Sequence, residues 1–157
     1  MIEIERKFLV KNDSFKQVAY AKHEIAQGYL NSNPERSVRV RIKNNNGFIT
    51  VKGISNELGM SRFEWEKEIP IDEAKLLLKL CEKGRIFKTR YEVLNGEFTF
   101  EIDVFHEQNE GLIIAEIELK TEMDVFIKPN WLGEEVTNEK KYYNSNICKN
   151  PFSTWEK

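Results

Sequence analysis

Near the amino terminus, Glu3-Ile4-Glu5-Arg6-Lys7 places two carboxylates and an ammonium at alternate positions. The spacing recurs in Arg39, Arg41 and Lys43, in Glu64, Glu66 and Glu68, in Lys88 and Arg90, in Glu101 and Asp103, and in Glu116 and Glu118. On a β-strand alternate side chains share a face, so each run puts its charges on one side and its apolar residues on the other. Clustered carboxylates are hard oxygen donors of the kind that hold a divalent cation. Clustered cations grip a polyanion, arginine as a bidentate fork and lysine as a point charge. Together they suit a polyanion held with a divalent metal.

For any single run, alternation ordinarily marks the solvated face of a half-buried strand. Solvated faces mix their signs and include Thr, Ser and Gln, because adjacent like charges are unfavourable. Here the signs are segregated strand by strand. That arrangement costs stability unless a ligand or metal compensates, which points to a site.

The elements that must carry these residues are predicted as strands near 2–9, 25–31, 37–43, 47–53, 62–69, 86–93, 97–105 and 112–119. Asn44-Asn45-Asn46-Gly47 and Leu94-Asn95-Gly96-Glu97 read as hairpin turns, since Asn and Gly tolerate positive φ. A short helix is predicted from Asp13 or Ser14 through Lys22. A better one opens at Asp72, with Ala74, Leu77, Leu78 and Cys81 at helical spacing and Gly84 to stop it. A third is predicted from Thr121, with Asp124 in a capping-box-like position and Pro129 as its end. The tail from Thr137 to Lys149 is predicted to be helical in part. The pattern is α+β, with a strongly curled antiparallel sheet. If the charged face were inside, the sheet would close into a barrel with a polar lumen. Alternation alone leaves open which face is inside.

The 157 residues fit one domain, 1–157, with 40% hydrophobic and 32% charged side chains. Lys plus Arg (24) nearly balances Asp plus Glu (26), for a formal net charge of -2. A protein that binds nucleic acid by counterion release would carry net positive charge, so nucleic acid is not expected as a partner. Cys81 and Cys148 are too few and too far apart in sequence for a disulfide framework or a zinc site. His23 and His106 stand alone. No apolar run approaches a membrane span and no signal peptide is evident, so the expectation is a cytoplasmic protein, monomeric or homodimeric, without a membrane partner.

Glu3-Ile4-Glu5-Arg6-Lys7 resembles the E-x-E-x-K signature of the CYTH superfamily, the triphosphate tunnel metalloenzymes. The resemblance continues in order through Gln27-Gly28-Tyr29-Leu30, Arg39-Val40-Arg41, Thr50-Val51-Lys52, Glu64-Trp65-Glu66, Lys88-Thr89-Arg90-Tyr91, Glu101-Ile102-Asp103-Val104-Phe105 and Glu116-Ile117-Glu118. Gly133-Glu134-Glu135-Val136-Thr137, then Lys141-Tyr142 and Asn144, resembles the C-terminal segment of small bacterial members. E-x-E-x-K alone is weak; the ordered set is specific and spans the chain.

The resemblance implies a closed eight-stranded antiparallel β-barrel with flanking helices, its charged face lining a tunnel. It implies Mg²⁺ or Mn²⁺ at Glu3, Glu5, Glu116 and Glu118, joined by Asp103. It implies phosphate binding by Arg39, Arg41, Lys52, Lys88 and Arg90. Lys7 would reach both phosphate and attacking water, beside the catalytic carboxylates Glu5 and Glu118. Tyr29, Glu64, Glu66 and Glu101 would line the tunnel without an assigned role. Lys141 stands where relatives often have Arg, and would meet substrate as a point charge. Lys43, Glu68 and Glu97 sit near strand ends and read as rim charges.

The implied activity is metal-dependent hydrolysis of a linear triphosphate, inorganic tripolyphosphate first, to pyrophosphate and phosphate. The alternatives are thiamine triphosphatase, nucleoside triphosphatase, adenylate cyclase and, from another class, a non-catalytic polyphosphate- or nucleotide-binding module. Phe63, Trp65, Phe98 and Phe100 fall on the apolar parity of their strands, so no base-stacking surface is evident. If an organic group were recognised, Trp131, Tyr142 and Tyr143 would be the aromatic residues near a tunnel mouth.

Overall fold

The computed structural model describes residues 1–156. In chain order the elements are β1 (Ile2–Val10), α1 (Phe15–Val18), β2 (Ala21–Asn31), β3 (Arg36–Lys43), β4 (Asn46–Gly53), β5 (Ser61–Ile69), α2 (Ile71–Lys79), β6 (Ile86–Asn95), β7 (Phe98–Phe105), β8 (Ile113–Glu118), β9 (Leu132–Glu135) and α3 (Asn144–Lys149). Every strand pairing is antiparallel. The order β5-β4-β3-β2-β6-β7-β8-β1 closes on itself through β1–β5, and β9 adds to β1 outside the ring. The predicted strands are all present. Among the described residues no helix is long and apolar enough to cross a membrane.

Closure settles the question that alternation left open, because the apolar faces point outward and are covered. Over β1, β6, β7 and β8 the cover is α1, β9 and the chain before it, with Phe8, Phe15, Phe100, Ile102, Ile117 and Trp131 buried together. Over β3, α2 presses Ala74 and Leu78 onto Val40. Burying a leucine side chain of this kind stabilises by about 1.5–3 kcal/mol. Gly47 makes that approach possible: a Cβ there would lie 2.6 Å from the Ala74 Cβ. The β3–β4 turn itself is Asn44-Asn45, with Asn44 at φ 55° and Lys43 paired to Asn46. Gly47 belongs to the strand.

At one end of the ring the inward positions are apolar. Tyr29, Ile86, Phe105 and Ile114 pack there with Ile147 and Cys148 of α3, which floors the lumen.

Two predicted helices are corrected. The first ends at Val18 rather than Lys22, because Ala19 is already extended and Ala21 begins β2. The helix from Thr121 does not form. The Asp124 carboxylate accepts hydrogen bonds from the Lys120 and Thr121 amides and from the Thr121 hydroxyl, which knots the chain into a turn. The segment also has no face to bury, since Met123, Val125 and Ile127 are each more than 80% exposed. Its neighbour β9 was not predicted: Leu132–Glu135 is too short to show a period.

Candidate functional site

The ring of strands sorts its inward charges into two half-circles. The sequence β4-β3-β2-β6 carries Lys52, Arg39 and Arg41, then the uncharged Gln27 and Tyr29, then Lys88 and Arg90. The opposite arc, β7-β8-β1-β5, carries Glu101, Glu116, Glu118, Glu3, Glu5, Glu64 and Glu66, with Lys7 and Arg62 interspersed. Between them lies a cavity of about 240 Å³ lined by these side chains, Gln27 excepted. The register fixes neighbours: Glu5 faces Glu118 and Lys7 faces Glu116 across β1–β8, while Glu101 faces Glu116 across β7–β8. The strand parity that separates charge from grease thus places like charges side by side.

The acidic arc holds two carboxyl pairs. Glu5 is raised well above the usual carboxylate range by burial, then by the Glu116 and Glu3 charges. Glu116 is driven well below it: burial alone would raise it, but Lys7, a hydrogen bond from Glu5 and Arg90 outweigh that. Glu5 and Glu116 are thus driven in opposite directions, with a hydrogen bond between the two carboxyl groups. In the second pair Glu3 is held at about 2, again against burial, by Lys52, a hydrogen bond from Glu64 and Arg62. Glu64 is raised by burial and by Glu3. Lys52 Nζ donates to both Glu3 oxygens at 3.0 Å. Glu118, at the rim, is raised by partial burial and by Glu101 and Glu3.

These pairs fit a divalent cation. Each sets two oxygen-donor carboxyl groups against each other, a repulsion that a bound cation would relieve. Among the described residues no three carboxylates form a ready cage. A divalent cation would be held there by one or two carboxylates and completed by substrate oxygens.

The basic arc is deeply buried. Lys88 is 1% exposed and Arg41 8%. Burial presses Lys88 down to about 8, Asp103 pulls it back and Arg90 pushes it down again. Arg41 is lowered by burial, Arg39 and Arg90, with Glu66 and Glu101 opposing; an arginine keeps its proton, so this is electrostatic strain waiting for an anion. The Nε atoms of Arg39 and Arg41 are both buried without a hydrogen-bond partner. Glu66 is their present counter-ion, 3.3 Å from Arg39 and 3.5 Å from Arg41.

The structure brings together in one cavity Glu3, Glu5, Lys7, Tyr29, Arg39, Arg41, Lys52, Glu64, Glu66, Lys88, Arg90, Glu101, Glu116 and Glu118. Two expected residues stand elsewhere. Asp103 does not line the cavity: one oxygen takes Arg90 Nε at 2.8 Å, the other takes Arg90 Nη2 at 3.0 Å and Lys88 Nζ at 2.8 Å. With both oxygens committed to these contacts, it is a counter-ion that aims two cations. Lys141 is exposed on the outside, its ammonium 5.1 Å from the Tyr142 and Trp155 ring centroids. Its neighbour α3 turns inward; Lys141 does not.

Lys43 lines the mouth. Sequence reasoning missed Arg62, Ser37, Asn144 and Ser145, which also line the cavity. Arg62 had a signal, the same parity as Glu64 and Glu66. Asn144 appeared only as part of the C-terminal motif, with no role assigned: its Oδ1 accepts from Lys88 Nζ at 3.0 Å and Gln27 Nε2 at 3.1 Å because α3 docks there. Of the aromatic residues proposed near the mouth, Trp131 lies in the outer core and Tyr142 in the floor; Tyr143 alone reaches the cavity.

The CYTH domain profile matches residues 1–148. The chain is 48% identical to an inorganic triphosphatase of Acetivibrio thermocellus over 98% of its own length and 97% of that protein's. It is 37% identical to an inorganic triphosphatase of Nitrosomonas europaea, over 94% and 97% of the two chains. A solved crystal structure of an inorganic triphosphatase superposes with a TM-score of 0.66 at 34% identity, covering 93% of this chain and 97% of that one. From the barrel, its bipolar lumen and these matches, the chain belongs to the CYTH domain family.

Proposed function

We propose that this protein hydrolyses inorganic tripolyphosphate to pyrophosphate and orthophosphate with a divalent metal ion. The observation that carries this is the basic arc: two buried arginine Nε atoms without partners face an arc of closely paired carboxyl groups. A pure phosphate-binding module needs the cations but not the carboxylate pairs.

In this reading Arg39, Arg41, Lys52, Lys88 and Arg90 hold the phosphate chain, and Asp103 fixes the direction of Lys88 and Arg90. Glu5 and Glu116 hold Mg²⁺ or Mn²⁺, with Glu118 at the rim and Glu3 beyond Lys52. When bound, that ion neutralises phosphoryl oxygens and lowers the cost of charge build-up during attack. Lys7, 5% exposed and 4.0 Å from Glu116, stands where an attacked terminal phosphorus would meet Glu5. Water attack in line on that phosphorus leaves pyrophosphate on the basic arc.

Recognition of a base or thiazolium ring finds little support. Phe63, Trp65, Phe98 and Phe100 all lie off the cavity. Of the two tyrosines that line it, Tyr29 packs into the floor and Tyr143 is engaged by Lys7 and Arg62, 5.0 and 5.9 Å from its centroid. Phosphate-release assays with tripolyphosphate, ATP and thiamine triphosphate, each with Mg²⁺ and with Mn²⁺, test the reading. Tripolyphosphate should give the highest kcat/KM, and ATP should give no cyclic AMP. Preference for thiamine triphosphate, or cyclic AMP formation, would overturn it.

A further inference from the structure

The barrel wall has a junction where β1 changes neighbours. One edge of β1 pairs with β5 only through Ile2–Ile4, and the last bond there is from the Glu5 N–H to the Met60 carbonyl at 3.0 Å. Farther along, the partner is β9, paired from Phe8. The handover falls at Lys7, whose carbonyl accepts from the Val136 N–H at 2.8 Å and whose N–H donates to the Thr137 hydroxyl at 3.1 Å. Between Glu5 and Lys7 the wall is therefore made by side chains and the β4–β5 loop.

A cavity of about 10 Å³ lies in this junction. Glu5, Lys7, Arg62 and Tyr143 line both it and the lumen, so the two spaces share a wall. Ser55, Met60 and Thr137 close the outer side. About 10–15 Å³ is what one water molecule needs, together with two to four polar partners. The Glu5 carboxyl and the Ser55 and Thr137 hydroxyls supply those partners. A phosphate does not fit; a water does.

We propose that this junction is a one-water inlet, which binds a water molecule beside Glu5 and passes it to the Lys7 side of the lumen. It rests on the hydrolytic reading above. Each turnover consumes one water, while the phosphate chain and its metal fill the cavity from the mouth. Tyr143 is the partition between the two spaces, held by its cation contacts with Lys7 and Arg62. When those cations turn to phosphate, the ring loses its anchors and the inlet opens onto the reacting end.

The test uses the full chain with Mg²⁺ and tripolyphosphate in water–methanol mixtures, measuring orthophosphate and methyl phosphate together. Methanol attack joins its oxygen to the terminal phosphorus as the bridging P–O bond breaks; pyrophosphate leaves and the hydroxyl proton goes to solvent. The unaltered protein should form methyl phosphate well below the methanol share, since the inlet is water-sized. Met60→Ala widens the inlet and should raise the ratio of methyl phosphate to orthophosphate severalfold. Ser55→Val fills it and should lower kcat roughly tenfold with KM unchanged, as displacement of a reacting group does. Thr137→Val carries the same kcat test should Ser55→Val fail to fold, with melting curves as the check on folding. An unchanged product ratio in Met60→Ala, or an unchanged kcat in a folded filling variant, overturns the inlet. No phosphate release by the unaltered protein would instead overturn the hydrolytic reading on which it rests.

Discussion

The Glu5 carboxyl hydrogen-bonds Glu116 and is pushed well above its usual range, and that contact makes its substitution informative. In Glu5→Gln an amide N–H replaces the O–H toward Glu116, so the metal-free fold keeps its contact while the site loses an anionic ligand. Phosphate release should fall by more than about tenfold, the low end of what disturbing a metal's supporting partners costs, with the metal-free melting temperature unchanged. Near-normal turnover at saturating Mg²⁺ would take Glu5 out of the metal site. Because the metal needs the deprotonated carboxylate, Mg²⁺ affinity should rise with pH as the Glu5 proton becomes easier to displace; calorimetry at several pH values reads this, and Glu5→Gln should flatten it. Asp103 carries the opposite linkage. Its carboxyl is held at about 2 despite burial, by Arg90 and Lys88. A depressed acid stabilises the fold above its unfolded value near 3.9, and the contribution is lost as pH falls through about 2, an effect of about 2 kcal/mol. Asp103→Asn should cost more, about 3–5 kcal/mol, since it leaves Lys88 and Arg90 buried without their anion. Urea unfolding at pH 7 measures it, and a loss under about 1 kcal/mol, the worth of an exposed pair, would show that those cations are not dependent on Asp103.

At the scale of elements, the eight ring strands were legible because the period of two is written in charge, a residue property that tolerates no slip: a shift of one residue would turn Glu3, Glu5 and Lys7 into the outer core. Which face was inside was not legible, since parity is symmetric between a solvated sheet and a lumen; only the resemblance chose. β9 escaped because its position is set by what it docks on, and its four residues are too few to declare a period; α3 falls within the tail predicted to be helical in part. The failed helix at Thr121 erred the other way, since a capping pattern was present without an apolar stripe to bury. Among the site residues, strand parity found the carboxylates and cations; it could not see that Asp103 is consumed by its neighbours or that Asn144 arrives from the tail. Two glycines test how α3 is held. Gly84 and Gly96 both have positive φ, at 92° and 61°. A Cβ at Gly84 would meet the Cys148 carbonyl oxygen of α3 at 1.7 Å, whereas one at Gly96 meets nothing within 4 Å. Gly96→Ala should therefore cost only the left-handed backbone penalty, about 1–2 kcal/mol. Gly84→Ala should cost distinctly more and also raise KM for tripolyphosphate, because it displaces the helix that carries Asn144 and Ser145 into the lumen. Equal losses in denaturant and an unchanged KM would mean that α3 docks without needing that close approach.

The whole molecule is a shell whose apolar residues face outward under a coat and whose interior is split into opposed half-circles of charge. Such a lumen resists emptiness. Burial, Arg39 and Arg90 all press against the charge on Arg41, with Glu66 and Glu101 opposing, and among the described residues only Glu66 forms an ion pair with both Arg41 and Arg39. A polyanion threaded between the arcs supplies the missing acceptors for the Arg39 and Arg41 Nε atoms and frees Glu66. Since it binds the folded state alone, it must raise thermal stability by mass action, by about 2.7 kcal/mol at a hundred times its dissociation constant. For a chain of this size each kcal/mol moves Tm by about 2–4 °C, so tripolyphosphate should raise it by roughly 5–10 °C. Orthophosphate at matched ionic strength engages fewer of the cations and should give a smaller rise. Arg41→Ala should remove most of the tripolyphosphate effect. In the empty protein the same substitution relieves repulsion from Arg39 and Arg90, so the ligand-free variant should be no less stable than the parent. That combination, a loss of ligand stabilisation without a loss of intrinsic stability, separates a lumen arginine from a structural one. If tripolyphosphate stabilises Arg41→Ala as much as the parent, the anion binds outside the barrel and the two arcs hold each other rather than a substrate.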